Sequence, residues 1–175
     1  ILERNLEDDW MSGYAKISGN TDWNTPTKYV YKINEFFSEI DLDPCSNEGS
    51  IIEATEKYLL PLQDGLELPW RQRTFVNPPY GTWINNCFHK SLVEHNKGNE
   101  ILMLVPFATN TSHWKEYVWN KATAICFLYD TRLKFRINGN ENNKGCPMAC
   151  CFIYYGQDKD KFTEVFSECG ACVIL

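Results

Sequence analysis

The residues of this 175-residue sequence best suited to chemistry are Asn77-Pro78-Pro79-Tyr80, which directly follow a short apolar segment at residues 74–76. Each proline fixes its backbone φ near about −65° and has no N–H group to donate. Asn77 precedes a proline and is therefore kept out of the helical conformation. These residues are predicted to form a stiff loop at the end of a strand. The loop would present two acceptors, the Asn77 side-chain oxygen and the Pro78 carbonyl, beside the flat face of Tyr80.

Two neighbouring acceptors suit methyl transfer to a planar amine nitrogen. The exocyclic amine of a purine is a poor nucleophile, because its lone pair is delocalised into the ring. Acceptors that bind both of its hydrogens favour a pyramidal nitrogen and stabilise the positive charge that develops on it, and one such contact is worth about 3 kcal/mol. Tyr80 would stack on the base, and no covalent intermediate is needed. The alternative is a stiff turn without chemistry; the preceding strand and the following Gly81 and helix favour methyl transfer.

Composition is that of an ordinary globular chain, with 43% hydrophobic and 23% charged residues. The length suits one domain over residues 1–175, with residues 1–22 as a polar amino-terminal arm. No apolar run approaches the roughly 18–20 residues that span a bilayer, so we expect no membrane partner and a cytoplasmic location. The net charge of −6 argues mildly against nucleic acid, although a local basic face on an acidic protein is sufficient for binding.

Eight cysteines invite a disulfide or zinc interpretation. Cys169 and Cys172 have the spacing of a zinc knuckle, and Cys146 and Cys150 could supply the partner pair. Zinc ligands usually lie on tight turns, however, whereas Cys150 and Cys172 lie in apolar, strand-like segments. Buried, reduced thiols without a bound metal are the favoured interpretation.

Strand and helix patterns alternate along the chain, which predicts an α/β fold with a mostly parallel central sheet flanked by helices. Thr25 is predicted to cap the first helix, with Pro26 in its first turn. A short stretch that ends at Leu60 has no clear helix or strand pattern. The predicted helices are residues 25–38, 83–93, 112–121 and 162–169, and the predicted strands are residues 40–43, 74–76, 101–105, 124–128, 149–155 and 172–175.

Two of these strands lead directly into polar or proline-rich loops, at Asp43 and at Asn77. In open α/β sheets, ligands bind outside the carboxyl ends of the strands, near the point where the strand order reverses. Both loops should therefore open on the same edge of the sheet and form one site.

A series of short motifs occurs in a fixed order along the chain: Trp23-Asn24-Thr25-Pro26, Leu42-Asp43-Pro44-Cys45-Ser46, Asp64-Gly65-Leu66 with Trp70, Phe75-Val76-Asn77-Pro78-Pro79-Tyr80-Gly81, and Arg132-Leu133-Lys134-Phe135. With this set at this spacing, residues 23–155 resemble the phage-type DNA N-6-adenine methyltransferases of the Dam group. The resemblance implies a Rossmann-like class I fold, S-adenosyl-L-methionine as the cofactor and double-stranded DNA as the partner. A phage origin would place the protein in the cytoplasm of a bacterial host.

The resemblance also implies roles for individual residues. The loop at residues 77–80 would be catalytic and would act on a flipped adenine. The cofactor's methionine part would lie in the loop after the first strand, where Asp43 would pair with its ammonium group. That loop lacks the usual glycine-rich form, and Gly49 partly substitutes. The residues implied around the cofactor are Thr25, Pro26, Asp43, Pro44, Cys45, Ser46 and Asp64.

On the DNA side, the resemblance implies that Phe135 sandwiches the flipped base opposite Tyr80. Arg132, Lys134 and Arg136 form the tightest basic cluster and would contact phosphates. The alternative is an edge strand protected by its charges. Residues 136–147 are the predicted DNA-recognition loop, because only about 30 residues separate the cofactor loop from the catalytic loop.

Other functions stay open on the sequence. Asn-Pro-Pro-Tyr also serves methylation of RNA adenine and of a protein glutamine amide. A catalytically inactive nucleic-acid-binding subunit is a further alternative, which the complete catalytic loop opposes and the acidic charge mildly favours.

Overall fold

The computed structural model of the chain describes residues 23–175, except residues 82, 131, 138, 142–144 and 147. The predicted arm at residues 1–22 lies outside the described residues. The helices are α1 (Thr27–Phe37), α2 (Trp83–Asn96), α3 (Ser112–Tyr117) and α4 (Lys159–Phe166). The strands are β1 (Ile40–Ser46), β2 (Ala54–Leu59), β3 (Arg73–Val76), β4 (Glu100–Pro106), β5 (Ala124–Leu128), β6 (Arg136–Ile137), β7 (Asn140–Glu141), β8 (Cys150–Tyr155) and β9 (Gly170–Ile174).

Seven strands form the central sheet in the order β2-β1-β3-β4-β8-β5-β9. The strands β2, β1, β3 and β4 are parallel, but β8 is antiparallel to both β4 and β5, and β9 is antiparallel to β5. The expectation of a mostly parallel sheet is therefore wrong: the sheet is mixed. All six residues of β8 are buried. A continuous apolar run indicates that a strand is buried on both faces, but it does not indicate whether the strand is parallel or antiparallel to its neighbours.

Helices cover both faces of the sheet, as predicted. Side chains alternate along β4, so that Leu102 and Leu104 join one core while Ile101, Met103 and Val105 join the other. The first core contains the apolar faces of α1 and α4, and the second contains those of α2 and α3. None of the helices in the described part of the chain is long and apolar enough to cross a membrane.

The start of α1 differs from the prediction. The cap position is held by Pro26, in extended conformation, and Thr25 makes no capping hydrogen bond. The Pro26 carbonyl accepts from the N–H groups of Tyr29 and Val30. The Thr25 hydroxyl instead accepts a hydrogen bond from the side-chain amide nitrogen of Asn77, at an N···O distance of 3.4 Å. Its partner is therefore the loop after β3 and not the helix.

Strand β2 lies in the stretch that has no clear sequence pattern. It is an edge strand in which only Tyr58 is fully buried, and the charged Glu56 and Lys57 lie in its centre. Such a strand has no alternating apolar pattern to detect. Helix α4 begins and ends three residues earlier than predicted, because the Asp158 carboxylate caps it by accepting from the Lys161 N–H. The predicted loop at residues 136–147 contains the short β6–β7 hairpin.

The chain leaves β1 for β2 on one side and then returns to β3 on the other side of β1. The strand order thus reverses at β1 and β3, which is where open α/β sheets form their ligand crevice. Strand β5 runs in the same direction as β4, since both are antiparallel to β8. The segment after Leu128 therefore emerges at the same edge as the loops after β1 and β3.

Candidate active site

A cavity of about 950 Å³ lies at the carboxyl ends of β2, β1 and β3. Three chain segments line most of it: residues 43–50, which include the end of β1, residues 58–62, which include the end of β2, and residues 77–79 after β3. The segments at Asp43 and Asn77 thus line one cavity, as expected from the strand directions, and its role as a functional site stays a prediction. A cavity of this volume lies within the range of pockets that hold drug-sized ligands.

The side chain of Asn77 is held from one end. Its Nδ2 donates to the Trp23 carbonyl at 2.7 Å and lies 3.4 Å from the Thr25 hydroxyl oxygen. Among the described residues, none donates a hydrogen bond to the Asn77 Oδ1. Asn77, Pro78 and Pro79 all line the cavity. The arrangement leaves the amide oxygen of Asn77 as an acceptor for a ligand.

The segment that holds Asn77 is itself anchored in the fold. Asn24 pairs with Arg136 in both directions, with N···O distances of 2.9 and 2.8 Å. Asn24 and Thr25 are buried, and both line the cavity together with Trp23. Pro26, predicted to contact the cofactor, is not among the lining residues and serves as the cap position of α1.

The end of β1 carries a buried carboxylate, because the strand extends to Ser46 instead of ending at Asp43 as predicted. Asp43 is 3% exposed and accepts hydrogen bonds from the Cys45 N–H at 3.2 Å and the Ser50 hydroxyl at 3.3 Å. The Ser46 hydroxyl is also buried and lies beside the Asp43 carboxylate.

Asp64 lies behind the end of β1 instead of inside the cavity. Its Oδ1 accepts from the Leu66 N–H at 2.8 Å and so closes a tight turn. In the same turn, the Gly65 carbonyl accepts from the Trp70 indole N–H at 2.7 Å, and a Cβ at Gly65 would lie 2.1 Å from the Pro44 carbonyl oxygen. Asp64 is absent from the cavity lining, and its predicted contact with the cofactor's adenine stays a prediction.

Burial raises the pKa of Asp43 to about 6, and the interactions with Cys45, Ser46 and Ser50 only partly oppose this. As the pH rises from 3.8 toward 6, the unfolded chain loses its proton first, so the folded state loses up to about 3 kcal/mol of stability. We expect Asp43→Asn to abolish this dependence. Urea unfolding of the ligand-free proteins at pH 4, 5, 6 and 7.5 should show wild type losing stability relative to the variant; parallel pH profiles would contradict the prediction.

Three aromatic rings cluster beside Asn77. Trp23 stacks on Phe135 with ring centroids 5.4 Å apart, and Tyr80 meets both rings edge to face, at 5.3 and 6.0 Å. A base between Tyr80 and Phe135 would need parallel faces about 7 Å apart, twice the contact distance. Here the two rings are inclined by 85°, and Phe135 is only 2% exposed. The structure thus brings Phe135 to Tyr80 without forming a sandwich, and the base contact stays a prediction.

The predicted basic cluster divides into two parts. Arg132 and Lys134 are exposed and precede β6, so they do not lie in an edge strand. The Arg136 guanidinium is partly buried and donates to the Thr27 hydroxyl and the Gly139 carbonyl. Arg136 therefore ties α1 to the β6–β7 turn, and its predicted phosphate contact stays untested.

All eight cysteines lie in the described part of the chain as free thiols. Cys126 faces Cys172 across β5 and β9, whereas the Sγ of Cys150 lies 3.8 Å from the Tyr80 hydroxyl in the site. The two predicted pairs are thus separated. Within the described residues, no group of three or more His, Cys, Asp or Glu side chains could hold a metal ion.

Several lining residues were missing from the sequence prediction. Leu59, Leu60, Pro61 and Leu62 line the cavity because they follow β2, which had no recognisable pattern. The rule that neighbouring parallel strands end at the same edge would have located them once β2 was known. Trp23 belonged to a recognised motif, but nothing in the sequence indicated that its carbonyl holds Asn77.

A family model described as DNA N-6-adenine-methyltransferase (Dam) matches residues 14–165. The chain belongs to this family, which confirms the resemblance and implies a DNA adenine methyltransferase, a transferase that acts on DNA. Searches of curated proteins and of solved structures gave no match.

Proposed function

We propose that the protein transfers a methyl group from S-adenosyl-L-methionine directly to the exocyclic amine of an adenine flipped out of double-stranded DNA. The observation that carries this proposal is the side chain of Asn77. Its amide nitrogen is occupied by the Trp23 carbonyl, and its oxygen is left as an acceptor at the cavity surface. Pro78, in the same loop, contributes the second acceptor that the amine requires.

The charge of the cavity fits this cofactor. The described lining residues include the carboxylates of Asp43 and Glu48 and no Lys, Arg or His. Such a surface favours a ligand that carries positive charge, and it offers no cation to the pyrophosphate of a dinucleotide. S-adenosyl-L-methionine has a sulfonium and an ammonium group, and when bound it supplies an electrophilic methyl group. Asp43 would bind the ammonium group, and the neighbouring Ser46 hydroxyl, which also lines the cavity, would offer a further hydrogen bond.

The residues of the loop after β3 then act on the base. The Asn77 Oδ1 and the Pro78 carbonyl would accept the two amine hydrogens and leave the nitrogen lone pair free to attack. As the new carbon–nitrogen bond forms, the methyl–sulfur bond would break, S-adenosylhomocysteine would leave, and the nitrogen would release one proton to solvent. The two acceptors also stabilise the positive charge that develops on this nitrogen. The ring of Tyr80 supplies a stacking face. Prolines hold the loop in this shape before the base arrives, so little reorganisation is needed during the reaction.

The cysteines near the site support direct transfer. The neighbouring Cys87 thiol and burial raise the pKa of Cys45 well above its usual value. The Cys146 thiol and burial likewise raise the pKa of Cys150 well above its usual value. Both groups are therefore neutral thiols at physiological pH, and a neutral thiol is a poor nucleophile.

DNA would approach at the edge where the segment after β5 emerges. Arg132 and Lys134 are exposed there on either side of the buried Leu133, and Phe135 follows. An exposed basic pair beside an aromatic cluster suits phosphate contacts around a flipped nucleotide. Gly139, in the β6–β7 turn, lines the cavity, which supports residues 136–147 as the segment that reads the bases next to the target.

The proposal is tested by transfer of labelled methyl from S-adenosyl-L-methionine to unmethylated DNA, RNA and protein. We expect label in DNA, recovered as N6-methyladenine after digestion. Label in protein without label in either nucleic acid would contradict the proposal, and label in RNA alone would assign the RNA alternative. Calorimetry tests the cofactor separately, because a folded protein that does not bind S-adenosyl-L-methionine cannot be this enzyme.

Lys134→Ala should weaken binding to a DNA duplex and reduce the slope of log affinity against log salt by about 1, because one phosphate contact is lost. The matched control is Lys121→Ala, which removes an equally exposed lysine that precedes β5, at the opposite edge of the sheet. Binding titrations at four salt concentrations measure both slopes. An unchanged slope in Lys134→Ala would refute the phosphate contact.

A further inference from the structure

The amide of Asn77 is oriented by a segment that lies 54 residues earlier in the chain. Its Nδ2 donates to the Trp23 carbonyl, and a backbone carbonyl can only accept hydrogen bonds. The carbonyl therefore distinguishes the two ends of the amide, because the nitrogen end can face it and the oxygen end cannot. The Thr25 hydroxyl oxygen stands beside the same nitrogen.

The position of this carbonyl is fixed from three sides. Asn24 is paired with Arg136 by two backbone hydrogen bonds. Its side chain lies against Gly49, where an added Cβ would meet the Asn24 Nδ2 at 2.7 Å. The Trp23 indole stacks on the buried Phe135. The acceptor that faces Asn77 therefore has little freedom to move away.

We propose that the Trp23 carbonyl and the Thr25 hydroxyl form a positioning element that sets the orientation of the Asn77 side chain and excludes a carboxylate from position 77. This inference rests on the proposed function, in which the Asn77 Oδ1 binds the target amine. Neither Trp23 nor Thr25 needs to touch the reacting atoms; both act through Asn77.

The variant Asn77→Asp tests this positioning role. An ionised carboxylate would place an oxygen where the amide nitrogen now lies, 2.7 Å from the Trp23 carbonyl oxygen, and two acceptors repel each other. The side chain would have to rotate and misplace its second oxygen. A protonated carboxyl group can donate to the carbonyl and restore the arrangement. Activity of Asn77→Asp should therefore rise as the pH falls.

Other titratable groups near position 77 are present in both proteins. Asp43, Cys45, Glu48 and Tyr58 line the same cavity, while Tyr80, Cys150 and Arg136 lie on the adjoining loop and strands. Among them, burial raises the pKa of Asp43 to about 6, inside the pH range of the experiment. Because the wild type contains every one of these groups, the ratio of variant to wild-type rate removes their contribution.

The experiment measures single-turnover methyl transfer to duplex DNA at saturating S-adenosyl-L-methionine, from pH 5 to pH 8.5, for wild type and Asn77→Asp. We expect the variant to be about 100-fold slower at pH 8. The ratio of its rate to the wild-type rate should recover at least about tenfold toward pH 5. A variant as fast as wild type at pH 8, or a ratio that does not change with pH, would overturn the proposal.

Thr25→Val and Thr25→Ser test the hydroxyl and also decide the matter if Asn77→Asp fails to fold. Loss of one neutral hydrogen bond predicts a three- to tenfold lower single-turnover rate for the valine variant, to order of magnitude. The KM values for DNA and cofactor should stay unchanged, and serine should restore the rate. A normal rate, or a change in KM alone, would refute the positioning role. If wild type labels no DNA, the proposed function fails; if wild type is active and these patterns are absent, only this inference fails.

Discussion

Asn77→Ala should lower the rate of methyl transfer to DNA by about 100- to 1000-fold, the usual effect of removing one preorganised partner of a developing charge. The alanine variant lacks the oxygen that would bind the amine, and it also leaves the Trp23 carbonyl without its donor. Pro78, Pro79 and Tyr80 remain in place, so the loop should keep its shape. The measurement is single-turnover transfer of labelled methyl, with both substrates saturating.

Asn86→Ala is the matched control, because Asn86 is exposed on α2 and lies outside the cavity lining. It should transfer methyl at the wild-type rate. Asn77→Ala should still bind S-adenosyl-L-methionine within about threefold of wild type, since the proposed cofactor contacts lie at the end of β1. Wild-type activity in Asn77→Ala would remove this residue from the mechanism.

Gly65→Ala should weaken binding of S-adenosyl-L-methionine about 10- to 100-fold and also lower the free energy of unfolding. The added Cβ would lie 2.1 Å from the Pro44 carbonyl oxygen, a backbone atom that cannot move without shifting the end of β1. The bond from the Trp70 indole to the Gly65 carbonyl prevents the turn from retreating. Overpacking of this kind costs about 1–3 kcal/mol, which in binding amounts to a factor of about 10 to 100. Calorimetry and urea unfolding measure the two effects.

Gly98→Ala separates the two effects, because Gly98 has a positive φ of +101° but no heavy atom near the position of an added Cβ. Backbone strain should cost it about 1–2 kcal/mol of stability. Its affinity for S-adenosyl-L-methionine should stay that of wild type, since the residue follows α2, away from the cavity. Equal affinity of Gly65→Ala and Gly98→Ala for the cofactor would contradict the prediction. It would show that the cofactor does not bind at the end of β1.

Features fixed by local covalent and steric effects could be predicted from the sequence. The loop at residues 77–80 is stiff because of its prolines, and its place after a strand followed from the three apolar residues before it. Strand β4 was recognisable because it is buried on both faces. The meeting of the loops after β1 and β3 followed from a general rule for parallel strands.

Features that depend on long-range partners could not be predicted. The direction of β8 is set by its pairing with β4 and β5, and its apolar sequence is equally compatible with either direction. Strand β2 is stabilised by its ladder with β1 and has a polar, half-exposed sequence. The hydrogen bond from Asn77 to Trp23 joins residues 54 positions apart. Its acceptor is a backbone carbonyl, which every residue type has, so the amino-acid sequence does not indicate it.

The loops around the cavity have an entropic consequence. The cavity is lined by four of the seven prolines in the described part of the chain, namely Pro44, Pro61, Pro78 and Pro79. A proline has little backbone freedom left to lose when a segment becomes ordered, and walls that are already ordered reduce the cost of binding. A ligand that enters this cavity should therefore bind with a small conformational entropy penalty from the protein.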